Sequence, residues 1–224
     1  MFITFEGIDG SGKTTQSKMF FEYLKNINRK VYLTKEPNGT TLGSKIRKIF
    51  LNSKQKYSNI TSTLLLCSAR SDHIEQIILP KLLKQYIVIC DRFVDSTAAY
   101  QTVNLNDLNI NSDTKLSQNN KLEAIKKIYL LHDALFSIMP NITFFLDINL
   151  SNIEQNLNIR SNNTELNKLD ILPIIKKQEI INNYHIIKNL YPNRIINING
   201  NDTIENVHKN IVNIWNKIFK NYLI

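Results

Sequence analysis

The eight residues Gly7-Ile8-Asp9-Gly10-Ser11-Gly12-Lys13-Thr14 match the pattern G-x-x-x-x-G-K-[S/T] in full. They lie between a short apolar run, Phe2 to Phe5, and an amphipathic stretch that begins near Gln16. Such a loop works only where a strand delivers the chain and a helix carries it away, so it prescribes a strand–loop–helix unit and a polyphosphate ligand together. Its glycines let successive backbone N–H groups converge where a Cβ would stand in the way. Lys13 reaches the terminal phosphates, Thr14 offers its hydroxyl to Mg²⁺, and Thr15 follows in the first helical turn. Asp9 is discordant: a carboxylate inside an anion cradle repels phosphate unless it faces another group, such as a sugar hydroxyl.

The rest of the chain repeats the alternation that the loop begins. Strand-type runs at Phe2 to Phe5, Val31 to Thr34, Tyr86 to Cys90, Ile142 to Ile148 and Arg194 to Ile198 alternate with segments of helical period. Near-continuous apolar strands imply burial on both faces, hence an α/β fold with a five-stranded parallel sheet, helices on each side and ligands at the carboxyl ends of the strands. The 224 residues are read as one domain. Asn104 to Asn120 is polar and aperiodic, a surface loop or insertion, and Asn158 to Asn167 is a second polar break after the fourth strand, either a lid, about 158–170, that closes over a nucleotide or an ordinary surface connection. In the final helical stretch, Ile204 to Phe219, Trp215 falls at core spacing.

A formal net charge of +9 raises the question of nucleic acid, yet the 28 Lys and Arg are dispersed without a basic run. The charge then serves to attract nucleotides. Cys67 and Cys90 stand in apolar settings without metal-ligand spacing, which predicts buried thiols and a cytosolic compartment. Met1 leads directly into a strand with no signal-peptide pattern, and no apolar run approaches the roughly 20 residues that cross a bilayer.

The chemistry falls at strand ends. Asp91 and Arg92 close the third strand, a carboxylate suited to Mg²⁺ beside a fork suited to a phosphate monoester, or else an ion pair with each other. Ser96, Thr97, Tyr100 and Gln101 follow in a small-residue stretch as neutral partners for a base or sugar, although Ser96 or Asp95 equally suits a helix cap. Glu36 lies in the turn-rich segment after the second strand, and the next helix carries Arg47. Leu66, Arg70 and His73 share a helix face, so Leu66 and Arg70 address one pocket. His73 is read as a surface or capping residue.

Taken together, Phe5 to Gln16, Lys35-Glu36-Pro37-Asn38-Gly39-Thr40, Ala69-Arg70, and Asp91-Arg92-Phe93 with Asp95-Ser96-Thr97-Ala98-Ala99-Tyr100-Gln101 resemble the bacterial thymidylate kinases. The resemblance runs almost end to end and implies a P-loop nucleotide kinase fold, ATP with Mg²⁺, transfer of the γ-phosphoryl group to dTMP, and a homodimer. It assigns Asp9 to the deoxyribose 3′-hydroxyl, Arg92 and Arg47 to the acceptor phosphate, Arg70 and Gln101 to the thymine edge, Tyr100 to exclusion of a 2′-hydroxyl, and Glu36 to the metal or its waters. The chain departs from the family at Lys35 and Asn38, at Leu66 where an aromatic usually stacks on the base, and in the lid, where Arg160 and Asn167-Lys168-Leu169-Asp170 replace an arginine-rich pattern.

Phosphoryl transfer to an anionic acceptor asks for cations more than for a base. Lys13, Mg²⁺ and Arg92 are therefore expected at the core of the reaction, with Arg160 the leading lid cation and Lys168 second. The alternatives are a kinase for another deoxynucleotide or nucleoside, and a P-loop nucleotide switch or nucleic-acid-associated ATPase.

Overall fold

A computed structural model of the chain describes residues 1–51, 57–102, 118–162, 167 and 169–220. Five strands, β1 (Phe2–Glu6), β2 (Val31–Lys35), β3 (Ile87–Asp91), β4 (Ile142–Asp147) and β5 (Ile195–Asn199), form an all-parallel sheet in the order β2-β3-β1-β4-β5. Strand period puts alternate side chains on opposite faces. Phe2, Val88, Cys90 and Phe145 enter one core, while Ile3, Phe5, Ile89, Phe144 and Leu146 enter the other.

Helices α1 (Lys13–Asn26) and α9 (Ile204–Lys220) cover the second face, where Trp215 packs edge-on against Phe20, 5.4 Å between ring centres. Helices α5 (Val94–Gln101), α6 (Gln118–Leu135) and α8 (Ile174–Leu190) cover the first. Helices α2 (Thr41–Leu51) and α3 (Asn59–His73) pack against each other, and α3 packs also against α5; a π turn, Ile74–Ile78, joins α3 to α4 (Leu79–Leu83), and α7 (Leu150–Ser161) follows β4.

The strand expectations hold to within a residue; β3 ends on Asp91, as expected, and Arg92 lies just beyond it. Both cysteines are buried and unpaired, in keeping with their apolar settings. The polar stretch 104–120 lies outside the described residues except for 118–120, which begin α6. In the lid, α7 runs on to Ser161, so Arg160 stands on a helix rather than in a break; 163–166 and Lys168 lie outside the described residues.

Candidate active site

The central strand β1 delivers the chain into the loop, and α1 leaves it. Gly7 has φ +147°, and a Cβ there would meet Ser11 Oγ at 2.6 Å and the Leu146 carbonyl at 2.9 Å. At Gly12 a Cβ would meet only the Leu146 side chain at 3.9 Å, so its need for glycine lies in the backbone, at φ +87°. The Asn156 amide of α7 donates to the Gly10 carbonyl at 2.8 Å and holds the far side of the loop. Lys13 Nζ donates to the Ile8 carbonyl at 3.1 Å. Burial, and then the nearby Arg92, pull the Lys13 ammonium down to about 8, so an arriving polyanion favours its charged form.

Thr14 Oγ1 donates to Asp91 Oδ2 at 2.5 Å, while Asp91 Oδ1 is buried with no hydrogen-bond partner. An orphaned carboxylate oxygen beside a loop threonine is an oxygen donor set whose chemistry would fit Mg²⁺. Among the described residues no cluster of three or more His, Cys, Asp or Glu side chains could hold a metal.

Arg92 pairs with Asp9 across 83 residues of sequence rather than with its neighbour Asp91: Nη2 donates to Asp9 Oδ1 at 2.7 Å. The Tyr100 hydroxyl donates to Asp9 Oδ2 at 2.7 Å. Burial alone would raise the Asp9 carboxyl, but Arg92 first and Lys13 second hold it far below the usual carboxylate range. The discordant carboxylate is thus neutralised by cations and turned toward Arg92 and Tyr100.

Two clefts meet there. One, of about 530 Å³, is lined by Glu36, Arg47, Phe50, Leu51, Leu66, Arg70, Arg92, Phe93, Ser96, Thr97, Tyr100, Gln101 and Leu169, together with Pro37. The other, of about 1520 Å³, runs from Asp9 through Thr15 and Arg160 to Gly200, Asp202, Ile204 and Val207. The structure therefore brings every expected acceptor residue except Asp9 to the first cleft, and the whole of Asp9 to Thr15 to the second. Arg47 in α2 is half buried, its guanidinium lowered by burial and by Arg92. Arg160 Nη1 lies 3.2 Å from the buried Asp170.

Glu36 is bound from one side by Arg70, whose Nε and Nη2 both donate to Oε2 at 2.9 and 2.8 Å, and approached on Oε1 by His73 Nδ1 at 3.3 Å. It lines the first cleft, whereas Thr14 lines the second. Arg70 Nη2 also donates to Thr97 at 2.9 Å, and its guanidinium lies 4.8 Å from the centre of the Phe93 ring. His73 corrects the sequence expectation. It is fully buried beneath Glu36, with Nε2 2.7 Å from Thr34 Oγ1, because the face it shares with Arg70 turns inward.

Neither Ser96 nor Asp95 caps α5. Asp95 is held by Arg194 at 2.6 and 2.8 Å, and N–H groups at the helix start are taken by Glu6 at the end of β1, 2.7 Å from Phe93 N and 3.3 Å from Ser96 N. The sequence patterns do not single out Glu6 or Tyr184. An acidic residue between an apolar strand and a glycine loop is the available signal for the first, and a tyrosine on a distant helix gives none for the second.

The thymidylate kinase family model matches residues 5–211. The chain belongs to the thymidylate kinase family. It is 38% identical to the thymidylate kinase of Rickettsia canadensis over 202 residues, covering 90% of this chain and 89% of the relative. It is 35% identical to that of Mycoplasma capricolum over 216 residues, covering 96% and 93%. The crystal structure of thymidylate kinase from Ehrlichia chaffeensis superposes with a TM-score of 0.70 at 31% identity, covering 96% of this chain and 98% of that one. In this family member, then, the loop, the strand-end carboxylate and the arginine fork occupy the ends of a nucleotide kinase sheet.

Proposed function

We propose that this chain transfers the γ-phosphoryl group of ATP to dTMP, giving dTDP and ADP. The observation that carries the reading is the junction of the two clefts at the Asp9–Arg92 contact of 2.7 Å, with the phosphate loop on one side and Arg47, Arg70 and Gln101 on the other. Family membership supports the acceptor, and so do Phe50, Leu51, Leu66, Phe93 and Leu169, an apolar wall that suits a pyrimidine methyl group.

Two polyanions must meet, and the barrier falls where fixed cations face the charge that develops. Lys13 holds the transferring phosphoryl group, Arg92 and Arg47 hold the acceptor phosphate, and Arg160 reaches the second cleft from α7. Asp9 orients Arg92 and accepts from the acceptor sugar. Arg70 is stiffened by Glu36 and Thr97, so a base meets a guanidinium that needs little further ordering. Mg²⁺ belongs to the same proposal: Thr14 and Asp91 would hold it, and its charge would offset that of the phosphates.

The proposal extends to a homodimer in the cytosol. The two buried, unpaired cysteines suit a reducing compartment, and no helix among the described residues is long and apolar enough to cross a membrane. Following ATP, ADP, dTMP and dTDP by ³¹P NMR in one reaction with Mg²⁺ tests the chemistry. Stoichiometric dTDP and ADP support it; ADP with inorganic phosphate and no dTDP overturns it. Light scattering on a sizing column tests the dimer.

A further inference from the structure

Arg92 carries the acceptor phosphate in the proposed reaction, and its backbone is in a conformation that only a surrounding structure can hold. Its φ is +74°, in the left-handed region that residues with a Cβ rarely adopt. Arg92 N is fixed by the Phe5 carbonyl at 3.0 Å, and its own carbonyl accepts from Cys90 Sγ at 3.0 Å. The turn from Arg92 into α5 is held by one side chain. Glu6, 1% exposed, takes Phe93 N at 2.7 Å and Ser96 N at 3.3 Å on Oε1, and the Ser96 hydroxyl at 2.5 Å and the Tyr184 hydroxyl at 3.1 Å on Oε2. The Ser96 hydroxyl, its hydrogen given to Glu6, in turn accepts from Arg92 Nη1 at 3.0 Å.

We propose that Glu6 is a positioning residue for the acceptor phosphate: its carboxylate locks the turn and the serine that together aim Arg92 into the first cleft. The inference rests on the assignment of Arg92 to the acceptor phosphate. Glu6 acts through the residue after Arg92 and through the hydroxyl that supports its fork. A carboxylate is required because all the partners are donors, two backbone N–H groups and two hydroxyls, whereas an amide turns a nitrogen donor toward one pair of them. The charged groups that act on this site are Arg92, Lys13 of α1, Arg70 of α3 and Arg194, which attract the Glu6 carboxylate, and Asp95 of α5, which repels it.

A carboxylate that merely capped α5 would affect stability and every ligand alike. Calorimetric titration of dTMP and of thymidine, which lacks the phosphate, into the wild type, Glu6→Gln and Tyr184→Phe separates the two roles, at about pH 8 where the carboxylate is ionised. In Glu6→Gln the dTMP affinity is expected to fall about tenfold or more with thymidine within about twofold of wild type, the loss expected when donors to a charged acceptor are unpaired. Tyr184→Phe removes one of the four donors and is expected to lower dTMP affinity about threefold, again sparing thymidine; it carries the test should Glu6→Gln not fold. Equal weakening of both ligands, or an unchanged dTMP affinity, overturns the inference. A wild type that binds dTMP no tighter than thymidine overturns the acceptor assignment, and the inference with it.

Discussion

Replacing Arg70 by Met puts the acceptor cleft's construction to a quantitative test. Arg70 is 2% exposed and Glu36 8%, and the two are joined by hydrogen bonds of 2.8 and 2.9 Å to one carboxylate oxygen. Removing one partner of a buried pair leaves the other charge buried and uncompensated, at a cost of about 3–5 kcal/mol. Met fills much of the volume, so the loss is electrostatic rather than a cavity effect. In the wild type, burial would raise the Glu36 carboxyl but Arg70 holds it below the ordinary value of 4.5, so this group contributes stability above 4.5 that is lost as pH falls through the lower folded value. In Arg70→Met burial is opposed only by His73 and the Glu36 value rises, so the variant loses stability as pH rises through that value. The difference between wild type and variant therefore grows steadily with pH, small in acid where the wild type has lost its contribution and largest near about pH 8. Adding Glu36→Gln recovers part of it, with a coupling energy of about 2 kcal/mol or more. Urea unfolding followed by circular dichroism at three pH values reads all of this. A cost below about 1 kcal/mol at about pH 8, or a pH-independent gap, refutes the claim that the pair is buried and mutually dependent.

Leu66→Phe restores a ring to the wall of the acceptor cleft; it is expected to tighten dTMP binding by about 0.5–1.5 kcal/mol, roughly two- to tenfold, and calorimetry that finds no gain removes Leu66 from the base site. Arg160→Ala is expected to lower kcat by about 10³-fold, the low end for a lost arginine in phosphoryl transfer, with dTMP affinity nearly unchanged; steady-state kinetics that keep the wild-type rate exclude Arg160 from the chemistry. Burial and Asp95 push Glu6 up from 4.5 to about 7. Its contribution to stability is therefore full below 4.5 and lost as pH rises through about 7. Glu6→Gln abolishes that slope, so the stability of the variant relative to wild type should rise by about 3 kcal/mol between about pH 4.5 and pH 8, and denaturation curves with parallel pH dependences count against it.

The parts of the site that are legible in the sequence are those encoded over short spans. The phosphate loop, Asp91 beside Arg92, and the small-residue helix to Gln101 each declare themselves within a dozen residues, and the strand-end rule places them together. The alternation of apolar runs likewise gives the five strands, because burial on both faces leaves few polar residues to confuse the pattern. The hidden parts are long-range. Asp9 meets Arg92 from 83 residues away, and Glu6 caps a helix 87 residues on. Each is a property of two neighbouring strands, β1 and β3, and no local periodicity reports it. His73 departs from its expected surface position for a related reason: helical spacing correctly puts it on the face of Arg70, but only the packing of α3 against α2 and α5, with Thr34 of β2 meeting the His73 ring, decides that this face is interior. At Arg160 the Asn-rich sequence weakens the helical pattern and suggests a loop, whereas α7 continues through it and sets the guanidinium beside Asp170.

The central claim is that the cleft of Arg47, Arg70, Arg92 and Gln101 takes a thymine nucleoside monophosphate next to ATP. Measuring kcat/KM for dTMP, dUMP, dCMP, dGMP and thymidine in one coupled assay of ADP release tests it most directly. Acceptor-dependent ADP release is expected, with dTMP the best acceptor and thymidine, which lacks the phosphate proposed to meet Arg92, without measurable turnover. Preference for a non-thymine acceptor, or ADP release indifferent to every acceptor, contradicts it.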